Sequence, residues 1–318
     1  MEIKNKLLIT GASGFVGANL AHGFFKLGYD IHLFVRPSSD LWRIRKIKNK
    51  LKIHTVDLLD NRAMKEAVKK INPEVVFHCA AYGAHTDSQK DQQLMMNTNF
   101  FGTVNLLEAC MSTDFKCFIN TGSSSEYGEV AVPMAESRLL KPNNFYGVTK
   151  AAATMYCGYV ARKCKKPIIT LRLFSPYGYL DSKDRLIPKL IIDFLAHREK
   201  IDLYSASAVR DYIFIDDVVR AYKKAVSKGR ELSGRIFNIG SGAQFSVKDV
   251  VGQISKIFDR YPEITYGGGR FKQHEPKVWI SDISAAKKYL EWSPKYDFST
   301  GITKTIKWFK SNSDNYDR

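Results

Sequence analysis

Lys6-Leu7-Leu8-Ile9-Thr10, followed at once by Gly11-Ala12-Ser13-Gly14-Phe15-Val16-Gly17, is the stretch that decides the fold of this chain. The first five residues form a short apolar run with β character. From residue 14 to 27 the apolar positions Phe15, Val16, Leu20, Phe24 and Leu27 then recur at helical spacing, and Gly28 stops the helix. A strand that passes through a glycine-rich turn into a helix is the context a dinucleotide fingerprint requires. In that reading Gly11 permits the tight turn, Gly14 lets the backbone approach a pyrophosphate, and Gly17 lets helix pack on strand. Ser13, Phe15 and Val16 sit among the glycines and are expected to share the contact, while the helix N-terminus donates backbone N–H groups to the anion. A merely structural turn is the alternative.

Outward from this turn the alternation continues. Residues 31–35 and 52–56 read as strands, 60–71 as a helix ended before Pro73, and 75–79 as a further buried strand. Residues 94–111 read as a long amphipathic helix, 117–120 as a strand, 145–164 as a helix and 168–174 as the strand that closes the series. Strands alternating with helices build right-handed βαβ units and a parallel sheet covered on both faces. The expected fold class is therefore α/β, a doubly wound parallel (Rossmann) sheet over residues 1–174. Beyond it come shorter helices, a Gly267–Gly269 turn and scattered aromatics, read as a smaller C-terminal α/β substrate domain over 175–318 with some segments returning to the first.

At about 150 residues per domain, 318 residues fit two domains or one large one. Hydrophobic residues at 44% and charged residues at 25% exclude wholesale disorder, collagen-like repeats and a disulfide scaffold. Forty-nine Lys and Arg against thirty-two Asp and Glu leave +17, which favours nucleic acid, membrane lipid or phosphorylated small molecules as partners. Arg43, Arg45, Lys46, Lys48, Lys50 and Lys52 stand in one run, expected to be a solvated face because a basic stretch alone names no ligand. The five cysteines (Cys79, Cys110, Cys117, Cys157, Cys164) contain no CxxC pair, and four lie in apolar or helical surroundings, as free thiols in a reducing compartment do. No leader segment is evident, and no apolar run nears the ~18 residues of a membrane span, so a cytoplasmic location is expected. No His/Cys/Asp/Glu cluster has metal-ligand spacing, and no metal is expected.

Tyr146-Gly147-Val148-Thr149-Lys150 places a Tyr and a Lys four residues apart at the head of a helix, hence on one face. A Lys ammonium near a phenol, together with an oxidised nicotinamide, favours the phenolate and lowers the Tyr pKa from about 10 towards neutrality. Tyr146 can then give or take the proton of a hydroxyl/carbonyl couple while hydride moves to or from the nicotinamide. A chance surface pair is the alternative. Upstream, at the end of the fifth strand, lies Asn120-Thr121-Gly122-Ser123-Ser124-Ser125-Glu126-Tyr127-Gly128.

The GxxGxxG spacing and these motifs together resemble the extended branch of the short-chain dehydrogenase/reductase superfamily, the NAD-dependent epimerase/dehydratase family of nucleotide-sugar enzymes. The resemblance covers nearly the whole chain, through Asn97-Thr98-Asn99 with Gly102-Thr103, Arg172-Leu173-Phe174-Ser175-Pro176-Tyr177-Gly178, Arg210-Asp211-Tyr212-Ile213 with Asp216-Asp217, and Phe237-Asn238-Ile239-Gly240. It implies a catalytic triad of Ser123, Tyr146 and Lys150, with Ser124 sharing the role of Ser123 in holding the substrate oxygen. Tyr146 and Lys150 also touch the cofactor. Asp57-Leu58 contacts adenine, unless Asp57 instead caps the next helix, and Cys79-Ala80-Ala81 lies along the cofactor's ribose and phosphates. Phe174 falls beside the nicotinamide. Arg210 binds the diphosphate of a nucleoside-diphosphate sugar, an ion pair with Asp216 or Asp217 being the alternative.

Departures from the family's pattern are expected to retune the sugar or diphosphate contacts. Ser175 stands where many nucleotide-sugar epimerases carry Asn, and Gln273-His274-Glu275-Pro276 lacks the Arg often found before that Pro. His85 and His274 are expected to be ordinary surface or packing histidines. A homodimer through the helices at 94–111 and 145–164 is a further implication of the resemblance.

The acidic residue that would hold the adenosine ribose of NAD at the end of the second strand is replaced by Arg36-Pro37-Ser38-Ser39. A guanidinium makes bidentate bonds to phosphate, so NADP is the expected cofactor, with NAD the alternative if Arg36 only stacks on adenine or points to water. Three reactions compete. A 4-epimerase oxidises and re-reduces its sugar with a retained NAD. A 4,6-dehydratase needs carboxyl groups directly after the Ser/Thr of the triad, where this chain has Ser124-Ser125 and brings Glu126 one position late. A 4-ketoreductase draws reduced cofactor from the cellular pool, where an NADP site is useful. The segments AAYGA, NTGSSSEYG, NNFYGVTKAAAT and LRLFSPYG are most similar to 4-ketoreductases of the CDP-abequose/CDP-paratose synthase type. NADPH-dependent reduction of a nucleotide-linked 4-keto-(6-deoxy) sugar, with Tyr146 as proton donor, is thus the expectation. A nucleotide-binding regulator or RNA-binding protein on the same fold would suit the charge, but such proteins typically lose the Tyr/Lys pair, so no nucleic-acid partner is expected.

Overall fold

Leu7 and Ile9 pack into one apolar cluster and Leu8 into another, because successive side chains of a strand point to opposite faces. A strand that must bury both faces belongs in the middle of a sheet, and the computed structural model, which describes residues 5–84, 91–267 and 276–316, places it there. Along the chain come β1 (Lys6–Thr10), α1 (Phe15–Lys26), β2 (Asp30–Val35), β3 (Lys52–Thr55), α2 (Asn61–Ile71) and β4 (Val75–His78). After α3 (Gln92–Met96) and α4 (Gly102–Cys110) follow β5 (Cys117–Ser123), α5 (Phe145–Cys164) and β6 (Ile168–Leu173). β7 (Ser175–Tyr177), α6 (Leu186–Leu195), β8 (Lys200–Leu203), β9 (Val209–Arg210), β10 (Tyr212–Phe214) and α7 (Ile215–Ser227) lead to β11 (Ile236–Ile239). β12 (Phe245–Ser246), α8 (Val247–Phe258), β13 (Glu263–Tyr266) and α9 (Phe298–Lys310) complete the order.

The main sheet has seven strands in the order β11-β6-β5-β4-β1-β2-β3, and every pairing in it is parallel. The chain winds outward from β1 to β3, then returns to β4 on the other side of β1. That reversal opens a crevice beyond the carboxyl ends of β1 and β4, the place where open α/β sheets bind ligands. The C-terminal part adds three two-stranded pairings, β7 with β10, β8 with β13 and β9 with β12, while β11 returns to the main sheet beside β6. The larger apolar cluster runs without a break from Leu7 to Phe309, so both parts share one core.

Two details depart from the sequence reading. The helix expected over 94–111 is interrupted by a π turn, Asn97–Phe101, between α3 and α4. The wider turn carries Asn99 inward: its Oδ1 accepts from the Tyr82 amide at 2.8 Å and its Nδ2 donates to the Tyr82 carbonyl at 2.9 Å. The cap of α2 is Asp60, accepting from the Ala63 amide, whereas Asp57 accepts from the Leu59 amide in the preceding turn.

Candidate active site

At the crevice the glycine turn and the segment after β4 lie against each other. Gly11 has φ +72°, and a Cβ there would stand 2.5 Å from the Ala80 nitrogen, so only glycine allows this approach. A Cβ on Gly17 would strike the Gly11 carbonyl. Gly14 caps α1 with no side-chain bond to the first-turn N–H groups, which leaves them for an anion.

From this turn two cavities open. The larger, of about 1190 Å³, is lined by Gly11, Gly14, Phe15, Val16, Gly17, Cys79, Ala81, Ser123, Ser124, Tyr146, Lys150, Phe174, Ser175 and Arg210, with Arg43, Arg185, Asp181 and Trp279 among their neighbours. The smaller, of about 180 Å³, is lined by Ser13, Arg36, Ser39, Asp57, Leu58, Cys79, Ala80 and Ala81. Every residue expected in the site thus borders one space or the other, although the expectation joined positions from 11 to 210. A narrow cavity by β2 continuing into a wide one by β5 and α5 fits an extended dinucleotide with room for a second ligand.

Asn144 caps α5 by accepting from the Gly147 amide at 2.8 Å, which sets Tyr146 and Lys150 at the cavity wall. Tyr146 has a side-chain hydrogen bond with Ser123, and burial pushes its pKa up to about 12, against the lowering effects of Ser123 and the Arg185 charge. Lys150 is 2% exposed, and burial pulls its pKa down. The expected lowering of the phenol is therefore not a property of these side chains alone. Desolvation of the phenolate outweighs the neighbouring charges, and Tyr146 is held as the neutral phenol.

Behind the serines lies a buried polar wall. Glu126 is fully buried; its Oε2 accepts from Arg172 Nε at 2.7 Å, and its Oε1 accepts from the Ser123 amide at 2.8 Å and from Thr154 Oγ1 at 3.1 Å. Arg172 Nη1 donates to Tyr127 Oη at 3.0 Å, which donates to Asn238 Oδ1 at 2.7 Å. The carboxylate that comes one position late in the sequence thus faces away from the cavity and neutralises an arginine.

A second buried chain links the glycine turn to α5. Thr103 Oγ1 donates its proton to the Asn99 carbonyl at 2.6 Å, so His78 Nε2 must donate to Thr103 at 2.9 Å. Nδ1 is then bare and accepts from Thr10 Oγ1 at 2.8 Å, while Thr10 accepts from the Ala80 amide at 3.3 Å. Burial pushes His78 down to about 3, which keeps it neutral. Asn99 Nδ2 also donates to Thr149 Oγ1 at 2.9 Å, and Thr149 donates to the Tyr146 carbonyl at 2.8 Å. The segment after β4 and the turn bearing Tyr146 are therefore fixed to each other by partners that are all satisfied.

Residues 7–240 match the profile of the NAD dependent epimerase/dehydratase family. The chain belongs to that family. Among curated relatives, the trifunctional UDP-glucose 4,6-dehydratase/UDP-4-keto-6-deoxy-D-glucose 3,5-epimerase/UDP-4-keto-L-rhamnose-reductase of Arabidopsis thaliana is 29% identical over 97% of this chain and 47% of its own length. The chain thus spans about half the length of the first such relatives it matches. CDP-abequose synthase of Salmonella muenchen is 28% identical over 96% of this chain and 98% of its own. A solved structure of UDP-glucuronic acid 4-epimerase from Bacillus cereus, in complex with UDP-glucuronic acid and NAD, superposes with a TM-score of 0.85 at 28% identity, covering 96% of this chain and 99% of that one. The names of these relatives cover epimerisation, dehydration and keto reduction, so family membership does not choose among those reactions.

Among the residues lining the large cavity, the sequence reading missed four. Trp279 is buried beside Ser124 and donates its Nε1–H to Ser124 Oγ at 3.3 Å; it lies far along the chain with no motif to mark it. Arg43 was read as part of a solvated face but is partly buried at the large cavity. Arg185 and Asp181, an ion pair at 3.3 Å, border the same space. Arg210 is not paired with Asp217, whose carboxylate takes Arg220 and the amides of Lys295 and Tyr296; instead its guanidinium lies 5.3 Å from the centre of the Trp279 ring. His85 and Gln273-His274-Glu275 lie outside the described residues. Among the described residues no group of three His, Cys, Asp or Glu could hold a metal ion, and no helix is long and apolar enough to cross a membrane.

Proposed function

We propose that this chain reduces a nucleoside-diphosphate-linked 4-keto-6-deoxy sugar with NADPH. The observation that carries the proposal is the rim of the smaller cavity. The end of β2 offers Arg36, exposed, with its amide donating to Ser39 Oγ at 3.0 Å, and no carboxylate stands where the ribose of NAD would want one. Asp57, the acid that does border this cavity, belongs to the next turn and accepts from Leu59. An arginine beside a serine hydroxyl suits a 2′-phosphate.

The cofactor, when bound, supplies a hydride to the C4 carbonyl. Tyr146, a neutral phenol in this setting, gives its proton to the resulting alkoxide oxygen. Ser123 Oγ accepts from the Ser125 amide at 3.1 Å, its own proton, directed at Tyr146 here, turns to the substrate oxygen, and the buried Lys150 cation favours the phenolate left behind. Phe174 and Trp279, backed by Tyr127 and Met134, give an apolar wall suited to a deoxy carbon, and Arg210 suits the diphosphate. Glu126, engaged by Arg172, is withheld from the elimination that a dehydratase performs.

A 4-epimerase with retained NAD is the second reading, favoured by the Bacillus cereus neighbour that binds NAD and UDP-glucuronic acid. Exposed Phe101, Val148, Met155 and Tyr159, on the π turn and α5, support a homodimer through these helices. The buried free thiols of Cys110, Cys117 and Cys157 suit a reducing cytoplasm. Titration of the protein with NADPH and NADH tests the proposal. Tighter NADPH binding is expected; equal or tighter NADH binding would overturn it in favour of the epimerase.

A further inference from the structure

Tyr146, Lys150 and Thr154 stand four residues apart, so α5 presents them in one row. The first two border the large cavity, while Thr154 lies a turn further on, buried, and borders neither cavity. Its hydroxyl donates to Glu126 Oε1 at 3.1 Å, the same oxygen that accepts from the Ser123 amide at 2.8 Å. One carboxylate oxygen therefore joins the end of β5 to α5. The two elements it joins carry Ser123 on one side and Tyr146 with Lys150 on the other.

The surroundings hold that oxygen in place. Oε2 accepts from Arg172 Nε at 2.7 Å, and Arg172 is itself turned by Nη1 onto Tyr127 Oη. A Cβ on Gly122 would stand 2.7 Å from Oε1, and one on Gly147 would strike the Ser125 carbonyl. Strand end, serine turn and helix start thus close on each other where side chains are missing. Glu126 also completes the capping box of the turn Ser124–Glu126 and neutralises Arg172, but neither task needs a hydroxyl on α5. A buried hydroxyl is costly unless bonded, and here its bond is spent on the carboxylate behind Ser123.

We propose that Glu126 is a positioning residue, which sets the separation between Ser123 and the Tyr146/Lys150 pair by holding the Ser123 amide and the Thr154 hydroxyl on one oxygen. Its charge also acts through space to favour the protonated form of the buried Lys150. The inference rests on the reading of Ser123, Tyr146 and Lys150 as the reacting groups. It does not rest on the choice between reduction and epimerisation, because both pass a proton through Tyr146.

The test compares Thr154→Val, which removes the hydroxyl, with Thr154→Ser, which keeps it, and adds Glu126→Gln. A glutamine cannot serve both sides, since its NH₂ group must face either Arg172 or the Ser123 amide, donor against donor. Each protein is assayed for turnover and KM with NADPH and a 4-keto-6-deoxy nucleotide sugar, for NADPH affinity by titration, and for melting temperature. Turnover is expected to fall about 100-fold in Glu126→Gln and about 10-fold in Thr154→Val, as misplaced reacting groups do, and to stay within about twofold of wild type in Thr154→Ser. KM and NADPH affinity should stay within about twofold throughout. Normal turnover in Thr154→Val, even with a lowered melting temperature, would reduce Glu126 to a cap and counter-charge and overturn the proposal. Equal losses in the valine and serine variants, or a raised KM at normal turnover, would overturn it as well. If Glu126→Gln does not fold, the Thr154 pair decides. Crystal structures of the Thr154 variants give a reading that needs no activity: the Ser123–Tyr146 hydrogen bond should be lengthened or lost in Thr154→Val and kept in Thr154→Ser, and its persistence in both would contradict the positioning role. Normal turnover in Tyr146→Phe would remove the reading beneath the proposal, whereas a slow Tyr146→Phe beside a normal Thr154→Val would defeat the positioning role alone.

Discussion

The two ends of the cleft are built on opposite plans. Around Tyr146 and Ser123 the supporting polar groups are buried and paired, through Glu126 with Arg172 and through Thr10, His78, Thr103 and Asn99. At the rim of the smaller cavity Arg36 and Asp57 stand exposed, with short local hydrogen bonds that do not join that buried network. Proton and hydride transfer demand reacting groups held within a fraction of an ångström, which only a satisfied and rigid surround provides. Choosing between a ribose hydroxyl and a phosphate needs only a charge of the right sign within reach, and such a charge works from the surface. Single substitutions should therefore leave this fold's chemistry hard to redirect and its cofactor choice easy to redirect.

The largest effect is expected at the catalytic end. Tyr146→Phe keeps the ring and removes the proton, so turnover should fall by about 10²–10⁴-fold while the cofactor still binds. Steady-state rates with a parallel binding titration decide it, and turnover near wild type would show the two ends to be less different than described. Next comes the wall behind the serines. Glu126→Gln leaves Arg172 buried without its counter-charge, and the loss of unfolding free energy in urea should be about 3–5 kcal/mol. Pairing it with Arg172→Met should restore part of that loss, since no charge is then left buried alone. A single variant as stable as wild type would mean that the wall is not what holds Ser123.

At the open end the effect should be smaller and selective. Arg36→Asp should weaken NADPH by about 1.5–3 kcal/mol and leave NADH unchanged or tighter, with no loss in unfolding free energy. Equal weakening of both cofactors, or a marked loss of stability, would contradict the description of this rim as a solvent-facing selector.

Much of this was legible in the sequence, and the reasons differ by region. The glycine turn, the Tyr146/Lys150 pair and the strand series were readable because each is local: a few adjacent residues carry the signal and the backbone fixes their relation. The π turn at Asn97–Phe101 was not, since the contact it serves, between Asn99 and Tyr82, lies 17 positions apart and leaves the apolar spacing of a helix intact. Arg172 in a wholly buried strand did carry a signal, because a charge among apolar neighbours needs a partner, but nothing nearby named Glu126. Arg43 was misread for the converse reason: its neighbours in the run lie at the surface, and only the fold turns this one side chain to the Ser13 and Leu180 carbonyls. Trp279 reaches Ser124 across 155 positions and had no sequence signature at all.

The central claim, that this site uses a reduced cofactor to reduce a keto sugar, is tested most directly by following nicotinamide absorbance with a 4-keto-6-deoxy nucleotide sugar present. The account predicts one NADPH oxidised for each keto sugar reduced, with free NADP released at every turnover. Interconversion of two hydroxy-sugars with no net change in absorbance, by a protein whose bound NAD survives gel filtration, would contradict it.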